Sequence, residues 1–421
     1  MMTNRKIIRL PLFLVFFSLF IFVSCGGGGD SSNGNDPETS VNNAPELDTI
    51  GDKILFKGEK LSFPVSASDP DGDSLTFSAS GFPDDATFLN QVFEWDTAVT
   101  DAGTYQVTFK VVDDGVPSME SSETITITVS QFEYGVDGPF SLEEITFENN
   151  LWPKEDGGVP VSVLLPVERD LPVPVIFYSH PFGGTDWHYS ETLFRHLVSL
   201  GIAVVFSPYP TLDEDDLSIL SRYEVLWRGF EMAVDQYSSS FDLSKVGFAG
   251  HSFGGGATPA MAWKGIVEFG WGDDAAFMFM MAPWYSYDIS EEQLAAFPER
   301  VYAVEQVYDD DIVNDHRMAI DIFNAIGIPI DRKSYCNVQD GGHETPTDRQ
   351  EDEDLRRNAV YAMMDALIDA TFRISRPGKG KAFAINGLGD HIRHSITKNP
   401  EPVEDESHYK FPWSSPYNPR F

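Results

Sequence analysis

The sequence predicts a multidomain chain, an all-β sandwich followed by a larger α/β unit whose mostly parallel sheet carries helices on both faces. Three observations point there. From about Asn43 to Ser130, short alternating apolar runs are separated by Gly, Pro and Asp turns, which is a sandwich pattern. From about Pro139 to Phe372, strand-like and helix-like patterns alternate, as a parallel sheet flanked by helices requires. Inside that second region an apolar strand, Val246-Gly247-Phe248-Ala249, turns through Gly250-His251-Ser252-Phe253-Gly254 into a small-residue helix start, Gly255-Gly256-Ala257. With 421 residues at 42% hydrophobic, the chain can bury more than one core.

Taken in chain order, Arg5, Lys6 and Arg9 precede an apolar run, Leu10 to Val23, that is short for a bilayer span and reads as a secretory signal over residues 1–24. It ends at Ser24-Cys25-Gly26, which resembles the bacterial lipobox, although Phe22 stands where leucine is usual. The resemblance implies that Cys25 is lipidated and heads the mature chain, anchored at the outer membrane or cell surface. Residues 25–43, rich in Gly, Ser and Asn, form a flexible tether of about 20 to 25 Å root-mean-square reach. With Cys25 consumed, Cys336 is left alone, no intrachain disulfide is available, and Cys336 is expected as a small core residue.

The β segment, 44–130, alternates at Leu61-Phe63-Val65-Ala67, Leu75-Phe77-Ala79, Tyr105-Val107-Phe109-Val111 and Ile125-Ile127-Val129. Asp101-Ala102-Gly103-Thr104-Tyr105 resembles the tyrosine corner of immunoglobulin-like folds, in which the phenol ties the strand's entry to the backbone. With Asp69-Pro70-Asp71-Gly72-Asp73, the segment resembles bacterial putative-Ig and cadherin-like modules, which implies a spacing or docking role. Asp69, Asp71 and Asp73 have the alternation that lets oxygen ligands converge on calcium. However, Ser74 and Ser80 occupy the places where an EF-hand loop needs glycine and glutamate, so a structural turn is expected and no metal is assigned.

In the α/β unit, 139–372, helical periodicity is clear in Leu217, Leu220, Tyr223, Trp227, Phe230 and Val234, and again in Leu355, Ala359, Met363 and Leu367. The stretch Tyr285 to Arg300 is too short for a folded cap, so the site is expected to be open, with Trp187, Trp284 and Tyr285 placed to line it. Residues 373–421 carry His391, His394 and His408 among Pro, Gly, Asn and charge. They read as an irregular, solvated tail with no companion ligands for a metal. A net charge of −37 repels nucleic acid and anionic lipid, so neither is an expected partner; membrane contact is through the N-terminal lipid only.

The chemistry is concentrated around Gly250-His251-Ser252-Phe253-Gly254. In G-x-S-x-G the serine sits on a sharp strand-to-helix turn, and a Cβ two residues either side would strike a neighbouring element. A serine nucleophile needs a base and an orienting acid, which on such a sheet follow it in the order acid, then histidine. The run Val301 to Tyr308 leads into Asp309-Asp310-Asp311, any of which can be the acid. Lys333 to Val338 leads to a Gly-rich loop carrying His343. His316 competes for the role of base, but it lies where a helix begins and is expected as a solvated surface group. An oxyanion hole needs backbone N–H donors: one is Phe253, after the nucleophile. The other comes from Ser179-His180-Pro181-Phe182-Gly183-Gly184 and must be Phe182, since Pro181 has no N–H.

These motifs together make residues 139–372 resemble an α/β-hydrolase of the dienelactone hydrolase and cutinase-like polyester hydrolase group. The resemblance rests on the serine turn, on Ser179-His180-Pro181-Phe182 as the oxyanion loop, on Thr211-Leu212-Asp213, and on Ala282-Pro283-Trp284 at the place of an aromatic wall. It departs from the group at Pro181, where glycine is usual, and in lacking the C-terminal disulfide of secreted cutinases. It implies an esterase that cleaves carboxylic esters, polymeric ones included, through an acyl-enzyme at Ser252, with no cofactor. It selects Asp310 as the acid, because an acidic and then two apolar residues follow it, Asp311-Ile312-Val313. A peptidase or lactonase on the same triad, or a catalytically silent surface binding protein, are the alternatives.

Overall fold

Alternating burial sets the strands of the first region. In chain order these are β1 Glu46–Leu47, β2 Lys53–Phe56, β3 Lys60–Pro64, β4 Ala67–Ser68, β5 Thr76–Ser80, β6 Ala86–Leu89, β7 Val92–Asp96, β8 Gly103–Val112 and β9 Glu120–Ser130. The computed structural model describes residues 41–153, 158–211, 217–372, 377–388 and 394–421. The apolar N-terminal run, Cys25, nearly all of the tether, Leu212-Asp213 and His391 therefore lie outside the described residues. One four-stranded sheet, β2-β9-β8-β5, and one three-stranded sheet, β3-β7-β6, share a core of Phe93, Trp95, Val107, Phe109, Ile125 and Ile127. The Tyr105 hydroxyl donates to the carbonyl of Asp101 at 2.7 Å, tying the entry of β8 to the backbone. At the Asp69 turn, one carboxylate oxygen of Asp69 accepts from the N–H groups of Asp71 (2.9 Å) and Asp73 (3.0 Å), so the carboxylates converge by turn geometry.

The second region builds a nine-stranded sheet from β10 Leu142–Phe147, β11 Val161–Pro166, β12 Val173–Ser179, β13 Ala203–Phe206, β14 Phe241–His251, β15 Ala275–Met281, β16 Tyr302–Tyr308, β17 Lys333–Val338 and β18 His394–Thr397. Its order is β10-β11-β13-β12-β14-β15-β16-β17-β18. The strands from β13 to β17 in that order run parallel, and β10, β11 and β18 are antiparallel to their neighbours. The inner strands, β11 to β17, are largely buried on both faces, and the two-residue period separates the faces cleanly. Ile176, Tyr178, Val204, Phe206, Phe277 and Phe279 face one core, while Val175, Phe177, Ala203, Val205, Ala276 and Met278 face the other.

The helices are α1 Glu191–Ser199, α2 Ile219–Tyr237, α3 Phe253–Ala262, α4 Glu291–Ala295, α5 Arg317–Ala325, α6 Glu353–Arg356, α7 Ala362–Thr371 and α8 Pro377–Ala384. Leu193 and Leu197 of α1 share the first core with Met363 and Leu367 of α7. Tyr223 and Phe230 of α2 and Ala257 and Met261 of α3 share the second. None of the helices in the described residues is long and apolar enough to cross a membrane. Cys336 is buried and free in β17, as expected of a core residue.

Residues Asn43–Phe421 form one compact unit, and Phe56 of β2 packs into the core of the large sheet against Phe132 and Phe140. Arg169 adds a salt bridge to Glu59 at 3.0 Å. One expectation is corrected: 373–421 is not an irregular tail, since its described residues contribute α8, the edge strand β18 paired with β17, and a segment, 406–421, that is bonded to residues 312–315.

Candidate active site

Ser252 stands between β14 and α3 with φ 56° and ψ −117°, a left-handed conformation for a residue with a Cβ. Such strain persists only where the surroundings over-determine it. Here the Ser252 N–H donates to Met281 O at 2.9 Å, and its carbonyl accepts from Gly256 (3.0 Å) and Trp284 (2.8 Å). The flanking glycines are sterically required. A Cβ on Gly254 would lie 1.9 Å from the carbonyl oxygen of Ser179, and one on Gly250 would lie 2.3 Å from that of Gly254.

A hydrogen-bonded chain leads away from the serine. Its Oγ is 2.9 Å from His343 Nε2, and His343 Nδ1 is 2.8 Å from Asp311 Oδ2. With a carboxylate on Nδ1, the proton resides there and Nε2 is left as the acceptor facing Oγ. The carboxylate bonded to His343 is therefore that of Asp311, not the expected Asp310. Asp309 and Asp310 are the middle residues of a turn closed by the Asp311 N–H to Tyr308 O at 3.0 Å, and the Asp310 N–H is fixed on Gly341 O at 2.9 Å. That turn leaves Asp310 exposed and brings Asp311 inward at 1% exposure, where its second oxygen accepts from the N–H groups of Val313 (2.7 Å) and Asn314 (3.3 Å).

The two residues expected to supply donors to a developing oxyanion lie on segments that pack together. Phe253 opens α3, so its N–H is one of the donors a helix start leaves without an intrahelical acceptor. Phe182 follows Pro181 in a turn closed by the Gly184 N–H to Pro181 O at 3.0 Å, a bond that does not use the Phe182 N–H. The tight approach of Gly254 to Ser179 and His180 brings the two segments together, and the Phe182 and Phe253 rings are 6.1 Å apart.

Two histidines whose part the motif did not reveal hold these loops. His180 is fully buried and stacks on Tyr209 at 3.9 Å. Its Nδ1 donates to Pro181 O at 2.7 Å, and its Nε2 accepts the Tyr209 N–H at 3.1 Å. Burial pushes its pKa down to about 3, so it is neutral and serves as a fixed strut of the Phe182 loop. His251, the variable residue before the serine, is likewise buried and driven well below the ordinary imidazole range by desolvation. Its Nε2 donates to the backbone carbonyl of His343 at 2.7 Å and so locates the loop that carries His343. Both residues are visible in the sequence, but their roles depend on burial that spacing does not reveal.

Other expectations are corrected here. Trp187 does not line the site: it is 4% exposed, packs near Phe194 and gives its indole N–H to Glu144 at 2.8 Å. Tyr285 is buried, with its hydroxyl donating to Pro412 O. Trp284 is half-buried and stacks on Phe253, centroids 5.5 Å apart and planes 25° from parallel. His316 is buried rather than solvated, its Nε2 donating to Tyr308 O at 3.0 Å, and it takes no part in the serine chain. Asn314, not singled out from the sequence, donates to Ala282 O at 2.8 Å with the same nitrogen 3.5 Å from Ser252 Oγ. Ala282 has φ 42°, so this amide braces a strained residue just before Pro283-Trp284. A cavity of about 690 Å³ lies elsewhere, between Ile54–Leu61 and Arg169-Asp170, with no part in this geometry.

Compared with known proteins, the chain matches no family model and no curated sequence.

Proposed function

We propose that this protein is a serine hydrolase that cleaves carboxylic esters through an acyl-enzyme, on an α/β-hydrolase fold preceded by an Ig-like sandwich. The observation that carries this reading is the continuous chain Ser252–His343–Asp311 at 2.9 and 2.8 Å, starting from a serine in strained backbone geometry. His343 Nε2 takes the Ser252 proton as Oγ bonds to the ester carbonyl carbon. Asp311 keeps the other imidazole proton in place and balances the charge that forms. The carbonyl oxygen, now anionic, receives hydrogen bonds from Phe182 and Phe253 N–H, each worth roughly 3 kcal/mol of barrier. Collapse expels the alcohol, which takes the proton from Nε2. Water then attacks the acyl-enzyme with His343 again as base, releasing the acid and restoring Ser252.

Lipidation at Cys25 would place this site at the outer membrane or cell surface, facing esters that include polymers. A fluorophosphonate probe tests the core of the proposal. It is expected to label the protein at Ser252 and not the Ser252→Ala variant, with hydrolysis of short soluble esters lost in parallel. Labelling elsewhere, or ester hydrolysis that survives Ser252→Ala, would reject it. Amide and lactone substrates in the same panel separate esterase from peptidase and lactonase.

A further inference from the structure

We infer that residues 406–421 form a wall of the substrate cleft and brace the acid loop, with Phe411 positioning the Trp284 ring so that the site favours esters carrying a planar or bulky apolar group. The inference rests on the ester-hydrolase reading above and adds to it a substrate preference and the segment that sets it.

The segment is bonded to the acid loop as a strand would be. Lys410 N–H donates to Ile312 O and Phe411 N–H to Val313 O, both at 2.8 Å. Asp315 N–H returns a bond to Phe411 O at 3.2 Å, which makes Asn314 and Phe411 a parallel bridge. Asp315 also accepts the Trp413 N–H at 2.9 Å. The loop held in this way is the one that starts at Asp311 and places the Asn314 amide 3.5 Å from Ser252 Oγ. Further on, the Tyr287 hydroxyl donates to Tyr417 O, and Arg420 pairs with Asp321 at 2.9 Å.

The side chains point to the same face. The Phe411 ring meets Trp284 edge-on, centroids 6.0 Å apart at 79°, and Tyr417 approaches the same indole at 6.3 Å. Trp284 in turn stacks on Phe253, whose N–H is the proposed oxyanion donor. An aromatic band therefore runs from Phe182 through Phe253 and Trp284 to Phe411 and Tyr417. Within the segment Tyr409 is buried, but Phe411 is half-buried and Tyr417 is 57% exposed; at the other end of the band Trp284 is half-buried and Phe182 is 49% exposed. Leaving that much apolar surface in water costs stability unless a partner covers it, and the edge-to-face contact with Phe411 restricts where the Trp284 ring can turn.

The test uses the full chain and two ester pairs: an acetate and a benzoate of one alcohol, and an ethyl and a benzyl ester of acetic acid. Phe411→Ala is expected to lower kcat/KM for the benzoyl or benzyl member at least about fivefold more than for its small counterpart, mainly through KM. Phe411→Tyr should restore the ratio, and Tyr417→Ala should shift it the same way by less. Phe411→Leu, which keeps bulk, serves if the alanine variant does not fold; it should retain part of the preference. Equal effects on large and small esters in both pairs, with Ser252 still labelled by fluorophosphonate, would overturn this inference and leave the hydrolase reading intact. If the unaltered protein neither labels nor cleaves any of the four esters, the hydrolase reading itself fails, and this inference with it.

Discussion

Replacing Asp311 by Asn is the sharpest test of the geometry, because it changes one atom and leaves the packing volume alone. One carboxylate oxygen of Asp311 accepts from the N–H groups of Val313 and Asn314, and the other accepts from His343 Nδ1. In the amide, the oxygen must stay on the two backbone donors, so the NH₂ group faces His343 Nδ1. Two donors cannot share that bond. The imidazole then moves its proton to Nε2, the nitrogen that must be empty to accept from Ser252 Oγ at 2.9 Å. Loss of the correct tautomer in a serine triad costs about 10⁴ in kcat, or roughly 5 kcal/mol of barrier. Asp310→Asn touches only an exposed side chain whose backbone N–H, on Gly341 O, is unaffected, so a change within about twofold is expected. The assay is kcat and KM on one soluble short-chain ester for both variants, with melting temperatures alongside to show that the acid loop remains folded. If Asp310→Asn proves the more damaging, or Asp311→Asn keeps more than a tenth of the activity, the assignment of the acid is wrong.

Gly254→Ala places a methyl 1.9 Å from the Ser179 carbonyl, so it should cut fluorophosphonate labelling by about tenfold or more, whereas unchanged labelling would mean that the Phe182 loop is not pressed against α3. His196 is buried between Asp365 and Asp137 at 2.9 and 2.8 Å; burial opposes its charge, but the two carboxylates raise its pKa to about 9. Because that value lies above the ordinary 6.5, the contribution is complete below pH 6.5 and is lost as pH rises through 9; urea unfolding across pH 6 to 10 should show the decline, and His196→Gln should flatten it. Glu305, buried in β16 and pushed up by desolvation to about 8, also favours the protonated form when folded, so its contribution falls between pH 4.5 and 8, and Glu305→Gln should remove the slope in that lower window. Cys25→Ser should abolish incorporation of labelled fatty acid and release the protein from membranes; fatty acid retained in the variant would reject the proposed anchor.

What the sequence disclosed was what neighbouring residues determine. The serine turn is legible because strand, glycines and helix start are contiguous, and the clash that requires Gly254 involves a strand it must pack on in any parallel sheet. Tyr105 is legible for the same reason, since its partner Asp101 is four residues away. The acid is not local in this sense. Three consecutive aspartates are equivalent until the turn over Tyr308 is oriented, and that is done by Gly341, on the loop of the base, capturing the Asp310 N–H. The carboxylate that meets His343 is thus selected by the histidine's own loop, and one residue of rotation decides which carboxylate is buried. Residues 394–397 and 406–421 lack apolar periodicity because their bonds are made by backbone to distant segments, β17 and 312–315, so composition alone gives no sign of them. His316 and Trp187 mislead in the opposite way, being polar or amphipathic residues whose N–H groups are satisfied inside the protein, by Tyr308 O and by Glu144. The portion hidden from the sequence, then, is the portion made by long-range backbone pairing, and here it borders the serine: the acid loop is set on one side by Gly341 and on the other by Phe411, two segments that no local pattern connects to Ser252.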